Sequence, residues 1–195
     1  MREKILTAAR ELIVRDGYEA VTMRKIGSHI EYSAMALYRH FADKESLLRE
    51  LCLEDFATLR QSLQADGIDP DPVERLRRMA WAYVEFALAM PNQYRLLFMT
   101  PMPREFHVSK MADDHPEDDT YNALRDTLVQ AIELGRFRPE FSDADMVAQV
   151  IWGGLHGIVS LHIVLKDAPN LPWRPARESL QVMIDTLIKG LTVSP

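Results

Sequence analysis

Cysteine is almost absent: Cys52 is the only one in 195 residues, which excludes an intrachain disulfide and any zinc site built on several cysteines. Strand signals are missing as well. No segment alternates apolar and polar residues with period two, and no internal repeat stands out, so sheets, propellers and solenoids drop out. Basic charge is in short supply, with 23 Lys and Arg against 29 Asp and Glu. The net charge of -6 means that the overall field repels phosphate, and any nucleic-acid contact has to come from a local patch. Catalytic signatures are also lacking: there is no Glu-x-x-His pair for a di-iron bundle, no Gly-x-Ser-x-Gly elbow and no glycine-rich phosphate loop. No enzyme, cofactor or metal site is therefore expected. His107, Asp113, Asp114 and His115 crowd one loop, but their spacing matches no common metal site and reads as a solvated loop. The charged start Met1-Arg2-Glu3-Lys4 carries no signal-peptide pattern, so a reducing cytoplasm is the expected compartment.

What the sequence does have is helical periodicity almost throughout, on a composition of 47% apolar and 27% charged residues that suits a folded chain. Ile5, Ala8, Ala9, Leu12 and Ile13 recur at three- and four-residue steps from Arg2 to Asp16, and Gly17 stops that helix. Thr22 is spaced to cap a second helix to about Ile30, Ser33 a third to about His40, and Asp43 a fourth striped by Leu48, Cys52, Phe56, Leu59 and Leu63. The run Asp66 to Pro72 is the strongest break, with Asp71 and Glu74 at capping-box spacing and Pro72 suited to a first helical position. Further helices are expected over Pro72 to Met90, Gln93 to Met99, Glu117 to Gly135, Asp143 to Asp167 behind Ser142, and Pro175 to Gly190. Residues 146 to 165 hold no charged side chain and are long enough to span a bilayer. Gln149, His156, Ser160, His162 and three glycines, without a flanking basic cluster, assign that run instead to a buried or subunit-interface helix. The fold class is all-α, with no membrane partner: a three-helix bundle over residues 1–50, joined through the fourth helix to a larger helical domain over residues 51–195.

Only Glu31 and Tyr32 separate the second helix from Ser33, the short connection of a helix-turn-helix. Gly27 falls where crossing helices approach closely, and Leu37 falls at the buried position ten later. Glu31 is the misfit, because that turn residue usually adopts a left-handed conformation, at a cost of roughly 1 kcal/mol for a residue with a Cβ. From Ile5 to Leu51 the sequence resembles the TetR (tetracycline-repressor-like) family of transcriptional regulators. The resemblance rests on Ala8-Ala9, Gly17-Tyr18, Thr22, Ile26, Ser33, Leu37-Tyr38-Arg39-His40-Phe41 and Lys44-Glu45-Ser46-Leu47-Leu48. Departures are Gly27 where Ala is usual, Ile30-Glu31 for Ala-Gly, Tyr32 for an aliphatic residue, and Met35 for a small one. The second domain resembles a subgroup with a Trp-x-x-x-His-Gly signature, here Trp152 to Gly157.

The residues support a double-stranded DNA operator as partner independently of that resemblance. Residues 1–50 carry nine basic and eight acidic side chains, whereas residues 51–195 carry 14 and 21. Arg24 and Lys25 open the second helix, where backbone N–H groups and the positive dipole end favour phosphate. Lys44 opens the fourth, with its ammonium expected free to reach another phosphate. Base reading falls to the start of the helix capped by Ser33, namely Ala34 and Met35, with Arg39 one turn later. The resemblance implies that Tyr38 and His40 touch phosphates. The alternative is an α-helical ligand-binding or protein-interaction module without sequence-specific DNA binding.

The resemblance also implies a small-molecule effector and a homodimer. Trp81, Phe86, Met90, Tyr94, Phe98 and Trp152 would line a mostly apolar cavity, with His156 as its polar contact or else as a satisfied core histidine. At helical spacing such a set is more often plain core. Gly153, Gly154 and Gly157 leave a bare strip for a neighbouring helix, and Leu180, Ile184, Leu187, Ile188 and Leu191 form an apolar stripe. The expected interface is therefore Gly153, Gly157, Leu180, Ile184, Leu187 and Ile188, closed by a two-fold axis. The expected function is a repressor that leaves a near-palindromic operator when a largely apolar or aromatic ligand binds.

Overall fold

A computed structural model describes residues 1–64, 69–106, 120–165, 168, 170 and 172–193. Among the described residues there are nine α-helices and no strand. They are α1 (Arg2–Asp16), α2 (Met23–His29), α3 (Ala34–Tyr38), α4 (Lys44–Gln64), α5 (Pro72–Ala89), α6 (Pro91–Phe98), α7 (Thr120–Glu133), α8 (Ala144–Leu165) and α9 (Ala176–Leu191). The loop of His107, Asp113, Asp114 and His115 lies outside the described residues.

Local chemistry accounts for the helix ends. Gly17 takes φ 84° and returns its N–H to Ile13 O at 2.9 Å, a close that a side chain would strain. The Thr22 side chain accepts from Lys25 N, and Ser33 accepts from Ala36 N, each at 3.2 Å. Asp43 and Ser46 cap α4 reciprocally: Asp43 Oδ1 accepts from Ser46 N at 2.6 Å, and Ser46 Oγ accepts from Asp43 N at 3.2 Å. Those bonds hold the Asp43 carboxyl below its usual range. Three ends differ from expectation. Asp71 Oδ1 caps Val73 N at 2.9 Å, but the Asp71 N–H donates to Asp69 Oδ1 at 2.9 Å rather than to Glu74, because the Asp69 carboxylate two residues earlier already satisfies it; Arg136 holds the Asp71 carboxylate at 2.9 Å. Helix α6 begins at Pro91, two residues early, because proline's fixed φ suits a first helical position. Asp143, not Ser142, caps α8 through bonds of 3.0 and 3.1 Å to Asp145 N and Met146 N.

The helices form two compact units, Met1–Leu59 with Met90–Asp118, and Arg60–Ala89 with Asp119–Pro195. The division differs from a cut at residue 50 because α6 packs on α1 and adds Leu96 to the apolar core of the first unit. In that core Ile5, Ala9, Ile13, Ile26, Leu37, Leu47, Leu48 and Leu51 are fully buried. Beside them lies an ion pair, with Arg10 Nε and Nη2 on the two Asp55 oxygens at 2.9 and 2.6 Å. Burial pushes the Cys52 thiol up to about 12, so it is inert as a nucleophile.

The second unit packs α5 against α7, α8 and α9. Helix α8, the long apolar run, turns Val147, Ile151, Leu155, Val159 and Ile163 inward. Backbone bonds from Arg138 N to Leu191 O and from Val193 N to Arg136 O fasten the end of α9 to the α7–α8 connection.

Candidate nucleic-acid interface

Helices α2 and α3 meet through a turn whose geometry is fixed by its backbone. Ile30 N–H bonds back into α2, Tyr32 N–H donates to Gly27 O at 2.8 Å, and Glu31 adopts φ 61°. The misfit residue thus does occupy the left-handed position. Gly27 is required by close approach: a Cβ there would stand 2.6 Å from Tyr32 O and 3.3 Å from Ala34 N. Gly27→Ala is therefore expected to destabilise the first unit by about 1–3 kcal/mol despite its better helix propensity, and chemical denaturation checks this.

With Leu37 and Phe41 buried beneath it, α3 presents its other side to solvent. Met35 is 74% exposed and Tyr38 51%; Arg39 and His40 are exposed, Ser33 is exposed but occupied as the cap, and Ala34 is half-buried. Arg24 is exposed, with no hydrogen bond or ion pair among the described residues. The two lysines are placed differently from expectation. Lys25 Nζ lies 2.7 Å from Asp16 Oδ2, and Lys44 Nζ donates to Tyr18 O at 3.2 Å while sitting 3.8 Å from the Tyr18 ring centroid. Neither ammonium is free: the Asp16 carboxylate takes up one, on a side chain that stays partly in water, and the Tyr18 carbonyl and aromatic face take up the other. The Arg15 guanidinium, and then Lys25, hold the Asp16 carboxyl well below the usual range. Arg24→Ala is accordingly expected to weaken DNA binding evenly across sequences and to lower the salt slope by about one. Titrating affinity against salt measures that slope.

The expected ligand-lining residues come from both units. Met90, Tyr94 and Phe98 belong to the first unit, where Tyr94 is fully buried with its ring centroid 5.1 Å from Phe98. Trp81 lies in an open groove of about 760 Å³ in the second unit, with Glu85, Arg177, Glu178, Gln181 and Val182. Phe86 is buried. Trp152 Nε1 donates to Tyr83 OH at 3.1 Å, and the Trp152 ring lies 6.4 Å from that of Tyr121. Tyr121 OH in turn reaches Asp145 at 3.3 Å, and Arg125 Nε reaches Asp145 at 3.1 Å. His156 is half-buried one turn after Trp152, and burial lowers its pKa, which favours neutral imidazole. Tyr121 and Asp145 escaped the sequence reading because they meet Trp152 and each other across two helices, and no spacing within one helix signals that.

The expected interface residues divide as well. Leu180, Ile184 and Ile188 are 0%, 1% and 6% exposed within the chain, so they face its own core and are unavailable to a second copy. Leu187 is half-buried, and a Cβ on Gly154 would touch Met183 and Leu187 at 3.5 and 3.7 Å. A Cβ on Gly153 or Gly157 meets nothing within 4 Å. Those two glycines lie on an outward stripe of α8 with Met146, Val150, Leu161 and Val164, which are 48–59% exposed.

The comparisons fit this geometry. A model of "Bacterial regulatory proteins, tetR family" matches residues 5–51, which hold the helix-turn-helix, and one of "Tetracyclin repressor-like, C-terminal domain" matches residues 76–187. The chain belongs to the tetR family. This tetR-family chain is 26% identical over 145 residues, 65% of its length and 76% of the relative's, to the HTH-type transcriptional repressor AcnR of Corynebacterium diphtheriae. It is 28% identical over 155 residues to the HTH-type transcriptional repressor KstR2 of Mycobacterium tuberculosis, covering 77% of this chain and 75% of that one. The solved structure of a Clostridium perfringens putative fatty acid metabolism regulator superposes with a TM-score of 0.78 at 15% identity, covering 98% of this chain and all of that one, and so shares the fold. The protein is a DNA-binding transcriptional regulator of this family, not an enzyme.

Proposed function

We propose that this regulator is a cytoplasmic homodimeric repressor that holds a near-palindromic operator and releases it when a small, largely apolar or aromatic molecule binds its second unit. The observation that carries the repressor reading is the uncovered face of α3, since Met35, Tyr38 and Arg39 present apolar and cationic groups that nothing engages among the described residues of the first unit. Reading falls to Met35 and Arg39, helped by Ala34, while Arg24, Tyr38 and His40 meet phosphates and Lys25 exchanges Asp16 for one. The relatives named as transcriptional repressors support the same direction. Residues 1–50 carry the DNA-binding role in this proposal, and residues 51–195 the effector and dimer roles.

For the effector, Trp152, Tyr83, Tyr121 and His156 combine aromatic surface with a few polar tips, the make-up of a ligand site. The Trp-x-x-x-His-Gly signature supports placing the second domain in that subgroup. Two proteins of similar fold, a fatty acid degradation regulator of Bacillus halodurans and a ketosteroid transcriptional regulator of Mycobacterium tuberculosis, favour apolar effectors. Ligand and operator weaken each other by one and the same factor, since their coupling is reciprocal. Helix α4 runs unbroken from Lys44 to Gln64, and its tilt is the proposed link between effector and half-site spacing.

The test is to sequence genomic fragments retained by the purified protein, then to screen apolar and aromatic metabolites for release. An inverted repeat is expected, with Trp152→Ala binding it normally and responding only at higher ligand concentration. Retention without a shared motif returns the protein to the class of interaction modules, and an unaltered ligand response in Trp152→Ala removes this effector site.

A further inference from the structure

Of the large apolar side chains exposed in the first unit, three fall within seven residues: Tyr32 at 46%, Met35 at 74% and Tyr38 at 51%. Tyr32 precedes the cap Ser33 and lies outside α3, yet its backbone is as firmly held as that of a helical residue. Its N–H is bonded to Gly27 O at 2.8 Å, its carbonyl rests on the bare Cα of Gly27, and Glu31 on its other side is locked at φ 61°. A tyrosine ring left largely in water adds little to the fold, and on an already ordered backbone it has only its two side-chain torsions to order on contact. We infer that Tyr32 is a further specificity-determining residue, its ring packing on the 5-methyl group of a thymine in each half-site beside the base pairs read by Met35.

The inference rests on the assignment of α3 as the reading element. Two neighbours decide between base and backbone. Met35, exposed three residues further on, adds a second uncovered apolar side chain at the start of the reading helix, and thymine methyls are the apolar features of the base edges. Exposed Glu31 adds a carboxylate that repels phosphate oxygens, which disfavours a phosphate as the target of the Tyr32 hydroxyl.

The experiment selects sites from a randomised duplex library with the intact protein, Tyr32→Val, Tyr32→Leu, Tyr32→Phe and, as reference, Met35→Ala. Thermal melts accompany each, and the exposed position leaves no cavity on truncation. The expected result is a motif in which Tyr32→Val and Tyr32→Leu lose a thymine preference of roughly tenfold or more at one position per half-site, distinct from that altered by Met35→Ala. Tyr32→Phe, keeping the ring, restores the preference. Replacing that thymine by deoxyuridine weakens the wild type severalfold and leaves Tyr32→Val unaffected. An unchanged motif and affinity in folded Tyr32→Val or Tyr32→Leu overturns the inference. Equal losses on every sequence for Tyr32→Val and Tyr32→Phe overturn it too, in favour of a hydroxyl–phosphate contact. If the wild type itself selects no motif, the reading role of α3 fails and the inference falls with it.

Discussion

Arg10→Ala is expected to cost about 3–5 kcal/mol of folding stability, the largest single effect in the first unit, because it strands the Asp55 carboxylate where water cannot reach it. Asp55 is 2% exposed, and both its oxygens are held by the one guanidinium. Burial already raises its pKa, against the lowering influence of Arg10. A carboxyl whose folded pKa lies above its unfolded value contributes stability below the unfolded pKa and loses it as pH rises through the folded one. Removing Arg10 enlarges that loss, so the variant's deficit is greatest near neutral pH and shrinks on acidification. Urea melts of wild type and Arg10→Ala between pH 7 and pH 5 measure it. Replacing both partners, Arg10→Met with Asp55→Leu, is expected to be neutral or stabilising by about 1–4 kcal/mol. A deficit in the double variant as large as in the single one would show that the pair does more than satisfy itself.

Gly153→Leu and Gly157→Leu are expected to turn the proposed dimer into monomers without harming the monomer's fold. Within one chain a Cβ at either position has open space for 4 Å around it, and leaving glycine favours the helix by roughly 1 kcal/mol per site. Between two copies closed on the α8 stripe the added side chains collide, at about 1–3 kcal/mol per site and twice over by symmetry. Gly154→Leu is the counter-example: its Cβ alone fills the space up to Met183 and Leu187 of its own chain, so the remaining leucine carbons overpack and are expected to lower monomer stability. Light scattering separates these outcomes. Operator affinity is expected to fall a hundredfold or more in the monomeric variants, because the second half-site is no longer tethered to the first. Dimers of wild-type strength in both variants would sink the α8 stripe as the interface.

The sequence by itself determined the helices and the function class, because both depend on short-range spacing. The caps Thr22, Ser33 and Asp43 stand three residues before the N–H groups they satisfy, Gly17 closes α1, and the helix-turn-helix needs only two short helices and a tight turn. Even the strain at Glu31 was legible, since the demand for a left-handed turn residue is local. Tertiary structure decided everything that depends on which side of a residue another helix lies. A lysine's charge is visible in sequence, but only folding brings Asp16 to Lys25 and Tyr18 to Lys44. The stripe Leu180, Ile184 and Ile188 has the period of an interface and of a core alike, and α9 turns it inward while α8 leaves Gly153 and Gly157 outside. Periodicity fixes that a helix has an apolar face; the partner that covers it is chosen by packing between segments far apart in the chain, which no local pattern encodes.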